Sequence, residues 1–332
     1  MHLVATTIYG PDSSLAQFAV LPGLKLVVAG DRKTPVNWTL PNTTYLSPAD
    51  QLRAGFSLAG ALPWNHYVRK NLAYLEAVRQ GAQGIIDTDD DNYPQGEFRF
   101  PNPHDPYDVA GQAGQWINLY RYFSDRNVWP RGIPLDQILP TRHQPVVRRT
   151  ESHSRVAIWQ SLADGDPDVD AVYRLTDGSE VIFDRRPPVV LAENAWSPYN
   201  SQATWHDPSV FALLYLPSTV TFRFTDILRS YVALPILAAA GLRLGFCAAL
   251  VNQARNPHDY VEDFRSEFPI YDRAQETMAC VSSVVRSGYS IEDNLARAYQ
   301  SLAHAGIVGE AERYRVELWL EDLNRAARGV AQ

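Results

Sequence analysis

The sequence predicts an α/β fold built on a mostly parallel sheet. Three observations point there. Short β-rich runs alternate with helical patterns over the first 100 residues, one apolar run ends directly in acid, and Ala233 to Val251 reads as a buried helix followed by a buried strand. Of 332 residues, 45% are hydrophobic, more apolar material than a disordered chain carries. The 19 glycines and 23 prolines imply many turns and shaped loops. The length suits one large domain or two modest ones.

Val4–Ile8 and Leu24–Ala29 are the first two strands. Asp50 to Ala59 and Val68 to Gln80 carry apolar residues at helical spacing, and Gly81 stands where a C-terminal glycine cap belongs. Gly84 to Asp87 is a short strand that runs into carboxylates. Residues 92 to 150 change character: prolines at 94, 101, 103, 106, 130, 134, 140 and 145 break any long element and leave one short amphipathic segment around Trp116 to Phe123. Val169–Leu175 and Val181–Phe183 are strand candidates around the turn Asp177-Gly178. Ala233 to Val251 is as long as a membrane span, about 20 residues, but it holds Pro235, Gly241, Arg243 and Gly245. Charge within a span is costly, so a buried helix ending at Gly241 and a strand from Leu242 to Leu250 fit better. Residues 259 to 328 are mainly helical, with 3.6-residue periodicity in Ile291–Ala305 and Glu310–Ala327.

Thirty Lys and Arg against 37 Asp and Glu give a net charge of −7. Phosphate neutralisation needs a basic surface, so no nucleic-acid partner is expected. Two cysteines, Cys247 and Cys280, cannot build a disulfide framework and suit a reducing compartment. Met1 to Tyr9 lacks the basic and apolar regions of a secretion signal. The expected location is cytoplasmic, with no transmembrane segment; peripheral membrane association and a homo-oligomer stay open.

The most informative stretch is Gly84-Ile85-Ile86-Asp87-Thr88-Asp89-Asp90-Asp91-Asn92. Four carboxylates in five residues repel one another, and a cation relieves that repulsion. In an extended chain Asp87 and Asp89 point the same way. Two such carboxylates suit a hard divalent ion that shares its remaining sites with substrate phosphates, and the carboxyl end of a strand is where α/β sheets bind ligands. A solvated acidic turn or a helix N-cap is the plain alternative. Arg69 and Lys70 open the helix that returns to this strand, where they contact phosphate or stand as solvated helix charges. Gly30-Asp31-Arg32-Lys33-Thr34-Pro35 follows the second strand, as a ligand loop or a polar turn.

Taken in order, Gly30-Asp31-x-Lys33-Thr34-Pro35, Arg69-Lys70-Asn71-x-x-Tyr74-Leu75 and Ile86-Asp87-x-Asp89-Asp90 resemble the STELLO family of glycosyltransferases. Val128-Trp129-Pro130-Arg131-Gly132-Ile133-Pro134-Leu135, Pro167-Asp168-Val169-Asp170-Ala171-Val172-Tyr173 and Asp226-Ile227-x-Arg229-x-Tyr231 extend the resemblance over roughly residues 3 to 255, leaving the last 75 or so uncovered. The resemblance implies a GT-A-type, Rossmann-like nucleotide-sugar-binding fold with a mixed central sheet. Residues 1–92 form the nucleotide-binding half, 93–255 the acceptor half, and 256–332 a helical C-terminal extension. It implies an Asp-x-Asp motif at Asp87 and Asp89 holding Mn²⁺ or Mg²⁺ against the diphosphate of a nucleotide-sugar donor. Asp91 and a later His206 are further candidate ligands. Thr7, Tyr9, Asp31 and Lys33, with Arg69 and Lys70, fall to the donor.

Glycosyl transfer also needs a base for the acceptor hydroxyl. Asp226, at the start of an apolar helix, is the expected base; its alternatives are a helix-dipole acid or an ion pair with Arg229. Asp168 and Asp170, spaced by two, are candidates for sugar hydroxyls, with Arg131 and Arg229 as substrate cations. Trp196, Tyr199 and Trp205 are candidate stacking platforms or core residues. The expected reaction is sugar transfer to a glycan or glycoconjugate acceptor in surface polysaccharide synthesis. A nucleotide-sugar mutase and a non-catalytic partner of a polysaccharide synthase are the alternatives.

Overall fold

The computed structural model describes residues 1–11, 14–142, 148–151, 155–254 and 259–329; the boundary expected at 255/256 lies outside them. Among the described residues, eleven strands form one sheet: β1 (His2–Thr6), β2 (Lys25–Ala29), β3 (Thr43–Leu46), β4 (Ile85–Thr88), β5 (Asn92–Pro94), β6 (Tyr107–Ala110), β7 (Arg148–Glu151), β8 (Val156–Gly165), β9 (Val189–Leu191), β10 (Ala203–His206) and β11 (Arg243–Gln253). The order is β3-β2-β1-β4-β10-β8-β11-β9-β6-β7, with β5 on β11. The helices are α1 (Ser14–Ala19), α2 (Pro48–Arg53), α3 (Leu58–Ala61), α4 (Lys70–Arg79), α5 (Tyr120–Phe123), α6 (Leu135–Arg142), α7 (Ala171–Thr176), α8 (Thr225–Ala239), α9 (Tyr260–Val284), α10 (Ile291–His304) and α11 (Ala311–Gly329).

The first half is a Rossmann-like parallel block. Strands β3, β2, β1 and β4 all run parallel. Alternation along β1 divides its side chains between two layers: Leu3 and Ala5 pack with α1, and Val4 packs with α4. Beyond β4 the sheet is mixed rather than mostly parallel, because β10 runs antiparallel to both β4 and β8. This is the α/β arrangement that the family resemblance implies.

Several elements depart from the sequence expectation. The helix expected over Asp50–Ala59 breaks into α2 and α3 at Gly55, whose φ of 79° an L side chain resists. Ala171–Leu175 is not a strand but lies in helix α7, started by Asp170, whose carboxylate caps the Tyr173 N–H at 2.8 Å. Val181 makes only an isolated bridge to Gly165. The strand of this region is β8, buried along all ten residues.

The C-terminal helices share the main core. Leu295, Ala298, Tyr299 and Leu302 of α10 are buried at helical spacing, in the same cluster as the residues of α4 and α8. Asp322 of α11 accepts the backbone N–H groups of Ser57 and Leu58 at the start of α3. No helix of the described residues is long and apolar enough to cross a membrane.

Candidate active site

In the strand order 3-2-1-4, the succession of parallel strands switches sides between β1 and β4, and ligands in such sheets sit beyond the carboxyl ends of the strands at that point. A cavity of about 310 Å³ lies there. It is lined by Thr7 and Tyr9 after β1, Asp31 and Lys33 after β2, and Asp89, Asp90 and Asp91 after β4. Its opposite wall holds Arg131, Asp168, Gln202, Arg223, Asp226 and Gln253. Six carboxylates therefore face three cations within one pocket.

Asp87 is one step too deep to join them. It lies in β4 with no solvent exposure, Lys70 Nζ 2.6 Å from one carboxylate oxygen and the Arg229 guanidinium 2.8 Å from the other. Burial alone would raise its pKa, but these two cations overcome that and hold it below the usual carboxylate range. Lys70 also reaches Asp89 at 3.1 Å. Asp87 and Asp89 thus do share a side, as alternation predicts, and the cation between them is an ammonium group of the protein itself. Neither Asp87 nor Lys70 lines the cavity; Lys70 meets its edge through Asp89.

Asp89 to Asp91 form the pocket's own acidic edge. Asp89 accepts from the Tyr67 hydroxyl and Lys70 through one oxygen. Burial pushes its carboxyl up to about 7, against the pull of Lys70. Asp90 accepts from the Thr7 hydroxyl at 2.5 Å, and burial raises it to about 6. Asp91 accepts from Gln253 at 2.9 Å through one oxygen, while its other oxygen is buried without a partner. Among the described residues no three His, Cys, Asp or Glu side chains converge as a ready-made metal cluster. Mg²⁺ and Mn²⁺ need no such cluster: one or two carboxylates plus phosphate oxygens and water suffice. The orphan oxygen of Asp91 and the second, unbonded oxygen of the mostly buried Asp89 fit that demand.

The opposite wall is organised by Arg131. Its guanidinium grips Asp168 through two bonds of 2.8 Å and Asp226 through bonds of 3.0 and 2.8 Å. Gly132 makes this possible, since at φ 104° a Cβ would come 2.8 Å from Pro198. Asp168 donates its backbone N–H to Gln202, and Gln202 donates to Gln253, which donates to Asp91. A chain of amides therefore joins the Arg131 wall to the acidic edge. Lys33 forms no ion pair among the described residues and lines the pocket.

Four other expected site residues lie elsewhere. Arg69 is buried and bonds Gln51 and the carbonyls of Ala59 and Leu62, with its guanidinium over Trp64; it shapes the approach to α4. Arg229 is buried, bonding Ser201 and Asn200 as well as Asp87. Asp170 caps α7 and accepts from the Trp129 indole at 2.7 Å. His206 is buried in β10, its ring nitrogens unpartnered, and burial drives its pKa down to about 3; it does not line the pocket. Tyr199 and Trp205 are core residues, while Trp196 lines a separate cleft.

The sequence reading missed His66, Tyr67, Phe222, Arg223, Gln202 and Gln253. Tyr67 sits two residues before the Arg69-Lys70 pair, and Phe222 and Arg223 lie just before Asp226, so proximity to a motif was the available signal. Phe222 stands exposed at the rim, edge-on to Tyr67 at 5.6 Å.

Comparison with known proteins bears on this site. A family model described as STELLO glycosyltransferases matches residues 223–329. The probable glycosyltransferases STELLO2 and STELLO1 of Arabidopsis thaliana are each 26% identical over 97% of the chain. Over nearly its whole length the chain is similar to these STELLO proteins. It spans 44% of the length of each. The STELLO match begins three residues before Asp226 and runs through α9, α10 and all of α11. The likeness therefore does not stop near residue 255, as the motifs alone suggested.

Proposed function

We propose that this chain is a metal-dependent glycosyltransferase that moves a sugar from a nucleotide-sugar donor to a hydroxyl of a glycan or glycoconjugate acceptor, in the synthesis of a surface polysaccharide. The observation that carries the reading is the acidic edge Asp89–Asp91 at the sheet's switch point, with a buried Asp91 oxygen left unpartnered. Mn²⁺ or Mg²⁺ bound there supplies Lewis-acid neutralisation of the leaving diphosphate. Lys33 adds a fixed positive charge to the donor side. The loop from Thr7 to Tyr9 and Asp31 hold the nucleoside portion, and Phe222 and Tyr67 offer ring surfaces beside it.

Asp226 takes the proton from the acceptor hydroxyl, and Arg131 keeps its carboxylate oriented toward the cavity. Asp168 shares the guanidinium, so the base is positioned without being neutralised by a private partner. Incubating the protein with a panel of nucleotide-sugars and Mn²⁺ tests the reading. Slow release of free sugar and nucleoside diphosphate is expected for at least one donor. Ring isomerisation with the nucleotide retained would make the protein a mutase instead, and no turnover with bound nucleotide would make it a binding protein.

A further inference from the structure

A second cleft, of about 720 Å³, shares no lining residue with the acidic pocket. Trp116, Trp196, Gln115, Gln137, Gln275 and Met278 account for its chemistry. Two short segments bring the tryptophans together: Ile117 donates its N–H to the Trp196 carbonyl and Trp196 donates to that of Gln115, both at 2.8 Å. The resulting bridge pairs Trp116 with Trp196, and directly paired residues present their side chains to one side. Both are half-buried, and neither indole N–H has a hydrogen bond among the described residues. Helix α6 contributes Gln137 and α9 contributes Gln275 and Met278. Gln275 donates to Asp136 at 2.7 Å, which leaves its amide oxygen to accept. None of the residues lining the cleft is charged.

We propose that this cleft binds a neutral oligosaccharide. The C–H face of a pyranose packs on an indole ring, while its hydroxyls both donate and accept, as side-chain amides do. A cavity of this size lies in the range of small-molecule sites, about 300–1,000 Å³. Uncharged lining favours a neutral chain over an acidic one. The cleft also touches the acidic pocket's framework. Trp116 packs edge-on against Tyr231 at 5.8 Å; Tyr231 lies on α8 with Asp226, and its hydroxyl donates to the carbonyl of Gly132, next to Arg131. A glycan seated there would lean on the helix that carries the expected base. Binding itself needs neither nucleotide nor cation, so it stands apart from the transfer reading.

Calorimetric titration of the full chain, without nucleotide or metal, tests this with neutral pentasaccharides of glucose, mannose and galactose and an acidic pentamer of galacturonic acid. At least one neutral probe should bind, and more tightly than the acidic one. Trp116→Ala and Trp196→Ala should each weaken binding about tenfold or more, and Trp196→Phe should weaken it less. Gln137→Ala, which leaves the aromatic packing untouched, should weaken binding several-fold and decides the matter if the tryptophan variants melt early. No binding of any neutral probe, preference for the acidic one, or affinity indifferent to Trp116, Trp196 and Gln137 would overturn the proposal.

Discussion

Arg131 faces Asp226 through two hydrogen bonds, of 3.0 and 2.8 Å, at the wall of the acidic pocket. The same guanidinium holds Asp168 as firmly. One buried cation thus orients two carboxylates, and its planar fork matches both in a way a lysine would not. Burial would lower the pKa of Arg131, but Asp168 and Asp226 keep it well above its ordinary value. It stays charged throughout the working pH range.

Asp226→Asn keeps the size of the side chain, gives up one of the two bonds from Arg131 and removes the proposed base. Turnover should fall by about a hundred- to ten-thousand-fold, while nucleotide affinity in the presence of Mn²⁺ stays within a few-fold of the parent. Steady-state rates and calorimetry on one variant separate the two quantities. A large loss of nucleotide affinity with kcat intact would assign Asp226 to donor binding.

Lys70→Met probes the buried ion pairs. It leaves Asp87 with Arg229 alone and strips Asp89 of its cation. Removing one partner of a buried pair typically destabilises by about 3–5 kcal/mol. Chemical denaturation of the variant should show a loss of that size. A change within about 0.5 kcal/mol, the range of a surface substitution, would mean that Asp87 is held without Lys70.

Asp89 gives the pocket a pH signature. Its carboxyl is raised from the ordinary 3.8 to about 7, so the metal-free folded state binds this proton more tightly than the unfolded state does. That contribution to stability is present at low pH and is lost as pH rises through about 7. On the proposed reading a divalent cation would take the place of the proton. The rise in Tm on adding Mn²⁺ should therefore be larger at about pH 7.5 than at about pH 5. An equal rise at both values would place the ion away from Asp89 and Asp90.

The C-terminal helices are tied to the rest of the fold through buried carboxylates. Glu267 of α9 accepts from Arg223, a pocket residue, and from the Ala171 N–H. Asp322 of α11 caps α3. Asp322→Ala leaves two backbone N–H groups without their acceptor and should cost about 1–3 kcal/mol in denaturation. An unchanged midpoint would show that α11 packs on α3 without holding it.

Much of the fold was legible from pattern alone. β1, β2 and β4 announce themselves as apolar runs, and Gly81 does close α4 with φ 78°. The buried faces of α10 and α11 follow their 3.6-residue spacing. Strand β8 was not legible, because Gln160, Ser161 and Asp164 interrupt its apolar pattern, and their partners come from distant segments such as Asn200, Leu250 and Phe183. Segment 169–175 misled through its β-branched valines, whereas the cap from Asp170 decides for helix. The acidic run marked the site, but not which acids face it. Alternation holds only while the chain is extended, and β4 ends at Thr88. The depth of Asp87 depends on Lys70 and Arg229, which the sequence places 17 and 142 positions away.

The central claim is a cation–diphosphate site at Asp89–Asp91. Calorimetric titration of a nucleoside diphosphate, with and without Mn²⁺, into the parent protein and Asp91→Asn tests it most directly. The account predicts Mn²⁺-dependent binding in the parent and a loss of about tenfold or more in the variant, with Tm nearly unchanged. Binding that is equally tight without Mn²⁺, or equally Mn²⁺-dependent in Asp91→Asn, would contradict it.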